Sequence, residues 1–164
     1  MSIKIGDKLP PGHFLQMSDS DPSMVEIDAY FANRKVLLFS VPGAFTPTCS
    51  NSHLPGFINK LEEFNQLNID AIACTAVNDS FVMHAWGKSA GADNIDMLAD
   101  GNGEFVRSIG LEMDASAFEM GQRGKRFAFI ADNGILTHLF VEATGEFQVS
   151  SAEHILTVLQ QESC

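Results

Sequence analysis

The sequence predicts a single α/β domain with a central mixed β-sheet, helices on both faces of that sheet and a β-hairpin extension at the N-terminal end. Three observations lead to this fold class. The chain has 164 residues, which is enough for one domain of ordinary size and too few for two. Strand and helix patterns alternate along its first half, as in parallel strands joined by helices. A predicted pair of adjacent strands and a last helix follow, which makes the sheet mixed.

The first elements form an irregular N-terminal third. A turn at residues 19–23 separates two short segments, 12–17 and 24–27, which we predict to pair as a hairpin. The apolar run at residues 35–41 predicts a strand that is buried on both faces. Pro42 and Gly43 end this strand, because proline donates no hydrogen bond to a ladder and the pair favours a turn.

A helical pattern begins at about Pro47. Its apolar residues share one face and are Leu54, Phe57, Ile58, Leu61, Phe64 and Leu67. Pro55 should kink this helix, because it lacks an N–H group and crowds the preceding turn. Residues 69–77 predict the second buried strand. Asn78 and Asp79 then offer an N-cap for a helix that carries Phe81 and Trp86.

The last third begins with a short predicted strand at residues 97–99 and a turn at residues 100–103. Residues 126–131 and 135–142 predict a hairpin that turns through Asp132-Asn133-Gly134. Ser150, with Glu153 three residues later, predicts a capping box at the start of the last helix. A thioredoxin-like fold is the simplest match to this order of elements.

Composition and charge narrow the class of protein. Hydrophobic residues make up 45% and charged residues 19%, as in globular domains. No apolar run approaches the roughly 20 residues of a membrane-spanning helix, and the first residues carry no secretory pattern. We therefore expect a cytoplasmic protein, with a processed organelle protein as the alternative. The net charge of −11 repels phosphate backbones and anionic lipids, so we expect no nucleic-acid or membrane partner.

Three cysteines, at positions 49, 74 and 164, lie far apart and form no C-x-x-C pair, so neither a secreted disulfide framework nor a zinc motif is indicated. Cys49 stands in the first turn of the predicted helix, after a loop rich in proline and glycine. Unpaired N–H groups and the helix dipole favour an anion there, and the thiolate is the reactive form of cysteine. Thr46, three residues before Cys49, can turn its hydroxyl toward the pocket around the cysteine.

Residues 42–49 (Pro-Gly-Ala-Phe-Thr-Pro-Thr-Cys), followed by 53–57 (His-Leu-Pro-Gly-Phe), resemble the active-site segment of the type II, or atypical, peroxiredoxins. The likeness covers nearly the whole chain and includes Gly6-Asp7, Val77-Asn78-Asp79-Ser80-Phe81, Trp86-Gly87, Leu98-Ala99-Asp100 and Lys125-Arg126-Phe127. Thr46 stands where the redoxin branch of this fold has the first cysteine of C-x-x-C. That difference favours peroxide reduction over disulfide exchange.

The resemblance implies a thiol peroxidase that reduces hydrogen peroxide and alkyl hydroperoxides without a metal or an organic cofactor. Cys49 is then the nucleophile, which becomes a sulfenic acid. Thr46 hydrogen-bonds the sulfur and the peroxide oxygens, and Pro42 shields the sulfenic acid. Arg126 supplies a fixed positive charge for the thiolate and the leaving oxygen. Arg123 competes for that last role, but the family motif places the arginine directly before an aromatic residue.

The resemblance also implies partners. The reductant is glutaredoxin with glutathione, or thioredoxin, and the chain forms a homodimer. Phe45, Phe81 and Trp86 lie in the region that forms the dimer face in the family, and we expect them to be partly exposed, with core packing as the alternative. Phe45 also stands beside the site.

Several alternatives stay open at this point. Cys74 is interpreted as an unreactive core thiol, although a cysteine at this spacing resolves the sulfenic acid in some members of the family. Cys164 either forms an intermolecular disulfide or is an incidental thiol, and the sequence leaves both possibilities open. His53 could join Cys49 in a metal site, but a histidine that hydrogen-bonds beside the cysteine is favoured, since no further ligands are suitably spaced. A general thiol–disulfide oxidoreductase and a peroxide sensor or holdase are the rival functions.

Overall fold

A seven-stranded mixed sheet forms the centre of the fold. The computed structural model describes residues 1–18 and 20–163, so Asp19 and Cys164 lie outside the described residues. The strands in the described part are β1 (His13–Ser18), β2 (Asp21–Glu26), β3 (Lys35–Ser40), β4 (Ala71–Ala76), β5 (Asp96–Ala99), β6 (Glu112–Asp114), β7 (Gln122–Gly124), β8 (Phe127–Asp132) and β9 (Ile135–Val141). The main sheet has the order β2-β1-β5-β4-β3-β8-β9, and β6 pairs with β7 in a separate sheet.

The main sheet is mixed, as predicted. Strand β4 runs parallel to both β3 and β5. The pairs β1–β2, β1–β5, β3–β8 and β8–β9 are antiparallel. Five predicted strands begin and end within two residues of the observed ones, and they are residues 35–41, 69–77, 97–99, 126–131 and 135–142.

Helices cover both faces of the sheet. They are α1 (Ile27–Phe31), α2 (Leu54–Asn59), α3 (Leu61–Gln66), α4 (Ser80–Ala90), α5 (Glu104–Ser108) and α6 (Ala152–Glu162). On one face, Leu37 and Phe39 of β3 pack into a cluster that includes side chains of α2, α4 and α6. On the other face, Val36 and Leu38 pack with side chains of α1 and α5. Strand β3 is therefore buried on both sides, because successive side chains point to opposite faces. No helix in the described part of the chain is both long and apolar enough to cross a bilayer.

The N-terminal hairpin forms, but its second strand differs from the prediction. Strand β2 begins at Asp21, so residues 21–23, which were predicted to turn, pair with β1 instead. Asp19, the first residue of the predicted turn, lies outside the described residues. Pro22 is tolerated in β2 because this strand is at the edge of the sheet, where proline can point its missing donor outward. Ile27, which was predicted to end the strand, begins α1.

The helix that follows β3 is irregular next to Pro55, as its sequence predicts. Residues 47 and 48 are α-helical, Cys49–His53 form a wider π-helical turn, and α2 begins at Leu54. Pro55 stands in the first turn of α2, where it has no N–H to give to the preceding turn. The helix is then interrupted a second time at Lys60, between α2 and α3.

The predicted capping box at the last helix is wrong by one residue. The N-cap of α6 is Ser151, whose hydroxyl accepts a 3.2 Å hydrogen bond from the backbone N–H of His154. Ser150 is fully buried, and its hydroxyl donates to Glu142 instead. Two adjacent serines thus have different tasks, and the sequence pattern alone does not separate them. At α4, by contrast, the predicted cap is confirmed, since Asp79 accepts from the N–H of Val82 at 2.9 Å.

Candidate active site

Cys49 lies in the first turn of the helix that follows the carboxyl end of β3. The loop between them is held by backbone contacts: Val41 donates to the Thr75 carbonyl at 3.1 Å, and Ala44 donates to the side chain of Asn78 at 2.9 Å. Phe45 adopts a left-handed conformation, with φ of 66°. A non-glycine residue in that conformation is uncommon and costs free energy, so the surrounding contacts must fix this loop.

The sulfur of Cys49 is buried and accepts a hydrogen bond from an arginine. Cys49 has 0% exposure, and Nη2 of Arg126 lies 3.3 Å from its Sγ. Arg126 directly precedes β8, and Phe127 pairs with Ser40 at the end of β3, so the sheet register brings the arginine to the start of the helix. The sulfur therefore has a permanent positive charge beside it.

His53 connects the same arginine to the neighbouring loop. Its Nδ1 lies 2.9 Å from Nη1 of Arg126, and its Nε2 lies 3.0 Å from the carbonyl oxygen of Ser150. Arginine can only donate and a carbonyl can only accept, so the imidazole is neutral and carries its proton on Nε2. Burial, together with the charge of Arg126, lowers the pKa of His53 to about 3, which agrees with this state.

The two hydrogen bonds of His53 bear on the alternative that His53 and Cys49 bind a metal ion. Both ring nitrogens of His53 are engaged, one by Arg126 and one by Ser150, so neither offers a lone pair to a metal ion. Within residues 1–18 and 20–163, no three side chains of His, Cys, Asp or Glu are grouped so that they could hold a metal.

The two candidate arginines have different partners. Arg123 donates from Nε to the Met120 carbonyl at 2.9 Å and from Nη1 to the Pro42 carbonyl at 3.4 Å. It therefore holds the backbone of the site, whereas Arg126 contacts the sulfur. The choice of Arg126 over Arg123 for the catalytic role stays a prediction, which the contact with the sulfur supports.

Thr46 lies in the loop but does not donate to the sulfur in this structure. Its hydroxyl donates to the Gly43 carbonyl at 2.7 Å, and its own carbonyl accepts from the N–H of Ser50 at 2.9 Å. Because the hydroxyl proton is used by Gly43, the oxygen can only accept a further hydrogen bond. A hydroperoxide, which carries an O–H donor, has the chemistry to supply it.

A cavity of about 400 Å³ reaches this site. Pro42, Thr48 and Arg126 line it, and Arg126 also contacts the sulfur of Cys49. The wall that the β6–β7 hairpin and its connection provide is apolar, and its side chains are Met113, Ala115, Phe118 and Met120. This hairpin was not predicted from the sequence, because its strands have three residues each and show no apolar alternation.

Cys74 lies in the core of the protein. It is fully buried in β4 and pairs with Phe39 of β3 and Met97 of β5. Burial, together with the nearby sulfur of Cys49, raises the pKa of the Cys74 thiol well above its ordinary value. Both cysteines are free thiols in this structure. The interpretation of Cys74 as a core thiol agrees with this burial, while Cys164 lies outside the described residues.

The aromatic residues of the expected dimer face differ in exposure. Phe45 is 52% and Phe81 is 62% exposed, whereas Trp86 is 1% exposed, so the expectation of partial exposure is wrong for Trp86. The indole packs into the core and donates from Nε1 to the hydroxyl of Ser50 at 3.0 Å. Buried tryptophans ordinarily satisfy their N–H in this way. The partner is the residue directly after Cys49.

Comparison with known proteins identifies the family of this chain. The Redoxin family model matches residues 4–156. Peroxiredoxin-2C of Arabidopsis thaliana is 47% identical over 159 residues, which cover 96% of this chain and 98% of that protein. Peroxiredoxin-2E, chloroplastic, of Arabidopsis thaliana is 45% identical over 163 residues, which cover 96% of this chain and 70% of that protein.

A solved structure extends the likeness to three dimensions. The crystal structure of reduced Prx3 in complex with H2O2 from Vibrio vulnificus superposes with a TM-score of 0.93 at 46% identity, covering 96% of this chain and 99% of that one. The thioredoxin-like fold predicted from the order of elements is thereby confirmed. The chain belongs to the Redoxin family and, within it, to the type II peroxiredoxins.

Proposed function

We propose that this thiol peroxidase reduces hydrogen peroxide and alkyl hydroperoxides at Cys49, with Arg126, Thr46 and Pro42 completing the site. The observation that carries the assignment is the 3.3 Å hydrogen bond from Arg126 to a buried sulfur in the first turn of a helix. The relative from Vibrio vulnificus, whose solved structure holds H2O2, supports the choice of substrate.

The first half-reaction transfers one oxygen to sulfur. The Cys49 thiolate attacks the terminal, hydroxyl-bearing oxygen of ROOH, so that the S–O bond forms as the O–O bond breaks. The sulfur keeps OH as a sulfenic acid, and RO⁻ leaves and takes up a proton from water. Arg126 stabilises the charge that develops on the leaving oxygen, and Thr46 accepts the hydrogen bond of the peroxide O–H.

The second half-reaction needs an external thiol. A thiol condenses with the sulfenic acid, which gives a mixed disulfide and water, and a second thiol releases Cys49. We assign the supply of electrons to glutaredoxin with glutathione, or to thioredoxin. Cys74 could serve as the resolving thiol only after the first turn of the helix unwinds, because it lies inside β4. A one-cysteine cycle is therefore the favoured form.

The apolar wall of the cavity supports a substrate with an organic part. Met113, Phe118 and Met120 offer apolar contact next to Pro42 and Arg126. A bound alkyl group loses contact with water there, which favours alkyl hydroperoxides in addition to hydrogen peroxide.

We further propose a homodimer and a cytoplasmic location. The exposed rings of Phe45 and Phe81 support an interface between two copies of the chain. Peroxiredoxin-2E of Arabidopsis thaliana is named chloroplastic, so cell fractionation has to distinguish a plastid from the cytoplasm.

The test is peroxide consumption by the Cys49→Ser and Cys74→Ser variants with glutaredoxin and glutathione supplied. We expect Cys49→Ser to lose the activity and Cys74→Ser to keep it, since Arg126 donates to the sulfur of Cys49 and Cys74 is buried in β4. Mass spectrometry after one equivalent of peroxide should show a sulfenic acid or glutathione adduct on Cys49, and a Cys49–Cys74 disulfide would instead indicate a two-cysteine cycle. A general oxidoreductase would reduce a model disulfide without consuming peroxide. A sensor or holdase would turn over slowly and change its assembly state on oxidation.

A further inference from the structure

Glu142 is a buried carboxylate that the proposed reaction does not use. It directly follows β9 and is 7% exposed. Its Oε2 accepts three hydrogen bonds, from the backbone N–H of Gln148 at 2.7 Å, the N–H of Ser150 at 2.8 Å and the hydroxyl of Ser150 at 2.7 Å. Burial on its own would raise the pKa of Glu142, but the bonds from this loop outweigh it and lower the pKa below its ordinary value. The group is therefore an anion at neutral pH.

The loop that Glu142 holds carries two of the contacts of the active site. The carbonyl of Ser150 accepts from Nε2 of His53 at 3.0 Å. The ring of Phe147 lies 4.8 Å from the ring of His53 and 5.7 Å from the guanidinium carbon of Arg126. The position of this loop therefore decides the orientation of the imidazole and the surroundings of the guanidinium.

We propose that Glu142 is a positioning residue of the peroxidase site. Its carboxylate fixes the backbone of residues 148–150, the Ser150 carbonyl then holds His53 as its Nε2–H tautomer, and His53 holds Arg126 against Cys49. Each link is a hydrogen bond with one possible direction, because the arginine only donates and the carboxylate and carbonyl only accept. The inference rests on the proposed function, since it assumes that Arg126 acts on the sulfur.

Replacement of the carboxylate by an amide tests the chain of contacts. In Glu142→Gln the amide oxygen can replace Oε2, but the three bonds lose the negative charge that strengthens them. The NH₂ group then takes the buried place of Oε1, which has no hydrogen-bond partner, so the hold on the loop and on the Ser150 carbonyl weakens. We expect the rate constant for peroxide to fall roughly tenfold, less than the roughly 10²–10³-fold that loss of a whole donor costs. The rate of Cys49 alkylation at neutral pH should fall in parallel. Glu153→Gln is the matched control, because Glu153 is exposed in α6 and its replacement removes the same charge.

A double-mutant cycle separates positioning from mere stabilisation of the loop. In a His53→Leu background the link to Arg126 is already broken, so Glu142→Gln should cause no further fall in the peroxide rate or in the alkylation rate. If Glu142→Gln lowers the rates by the same factor with and without His53→Leu, the inference is overturned. Equal rates for Glu142→Gln and Glu153→Gln would also overturn it. Should Glu142→Gln fail to fold, Ser150→Ala takes its place, because it removes one of the three bonds to Glu142 and leaves the backbone.

The outcomes also distinguish this inference from the proposed function. Peroxide reduction that survives Cys49→Ser refutes the proposed function itself. Peroxide reduction that is lost in Cys49→Ser but is unchanged in Glu142→Gln refutes only the role of Glu142.

Discussion

Arg126 makes two hydrogen bonds with one planar group, and this decides what a conservative substitution can preserve. Nη2 donates to Cys49 and Nη1 donates to His53. A guanidinium offers its donors in a fixed fork, whereas the ammonium group of lysine is a single point on a flexible chain. One lysine cannot hold the sulfur and the imidazole in the same geometry.

We therefore expect Arg126→Lys to lower the rate constant for peroxide reduction by roughly 10²–10³-fold, the usual cost of losing one aligned donor in a site. The rate is measured from peroxide consumption under single-turnover conditions. Arg123→Lys is the matched control, because Arg123 donates only to backbone carbonyls. Its loss should be smaller, within about tenfold. An equal loss in the two variants would contradict the assignment of Arg126.

The neutral state of His53 predicts a stability that depends on pH. Its pKa is lowered from 6.5 to about 3 by burial and by Arg126, so below pH 6.5 the unfolded chain binds a proton that the folded protein excludes. The contribution is fully present above pH 6.5 and is lost as the pH falls toward 3, with a slope of at most about 1.4 kcal/mol per pH unit.

Glutamine at this position offers the same acceptor and donor without a titrating ring. We expect the free energy of unfolding of His53→Gln to fall less steeply than that of the wild type between about pH 6 and about pH 4. Urea titrations at several pH values give both curves, and the carboxylates contribute equally to each. Two parallel curves would show that His53 is not held neutral.

At the scale of elements, the π-helical turn Cys49–His53 is the part of the fold that has to open if Cys49 is to meet another protein thiol. Trp86 of α4 holds this turn through its hydrogen bond to Ser50. A neutral hydrogen bond contributes about 1 kcal/mol, so its loss raises the population of the open turn about fivefold.

Ser50→Ala removes the acceptor of this hydrogen bond, and Trp86→Phe removes its donor. We expect either variant to speed the alkylation of Cys49 by a bulky maleimide about fivefold, because such a reagent reacts only with the open turn. Since Trp86→Phe also changes core packing, Ser50→Ala is the cleaner variant, and the thermal unfolding midpoint measures that difference. Unchanged alkylation in Ser50→Ala would show that the indole does not hold the turn.

The same elements show what a sequence of this kind predicts and what it does not. Strands β3 and β4 were predicted well because both are buried on two faces and read as continuous apolar runs. Short elements such as α5 and the β6–β7 hairpin have too few residues to show a period, and their stability comes from tertiary contacts.

Among the site residues, too, those in a local sequence pattern were predicted and those without one were not. Cys49 and Arg126 stand in local motifs, so the resemblance identified them. Glu142 has no motif of its own, and Ser150 looks like an ordinary helix cap. Glu142 is 89 positions and Ser150 is 97 positions along the chain from His53, and only folding brings the Ser150 carbonyl to 3.0 Å from the imidazole.

At the scale of the whole molecule, Phe45 and Phe81 are exposed aromatic rings on a chain of net charge −11. Two such chains repel at low salt, so an interface between them has to gain its free energy from apolar contact. Phe45 is also part of the loop before Cys49, so the contact would brace the site.

We expect Phe81→Glu to prevent the proposed dimer from forming, because it places a charge in the apolar face. Sedimentation velocity at physiological salt measures the change. Phe118→Glu is the control, since Phe118 is 76% exposed at the rim of the cavity and not on the proposed dimer face. A monomeric wild type, or a dimer that persists in Phe81→Glu, would contradict the proposed interface.

The chain has a single tryptophan, and its indole N–H is bonded to the residue next to the reactive sulfur. Indole emission responds to the polarity and hydrogen bonding around the ring, and one tyrosine adds little background. Each passage of Cys49 between its redox forms should therefore change the intrinsic fluorescence. The protein carries its own optical reporter, and the rates of oxidation and recovery can be followed in rapid-mixing experiments without any label.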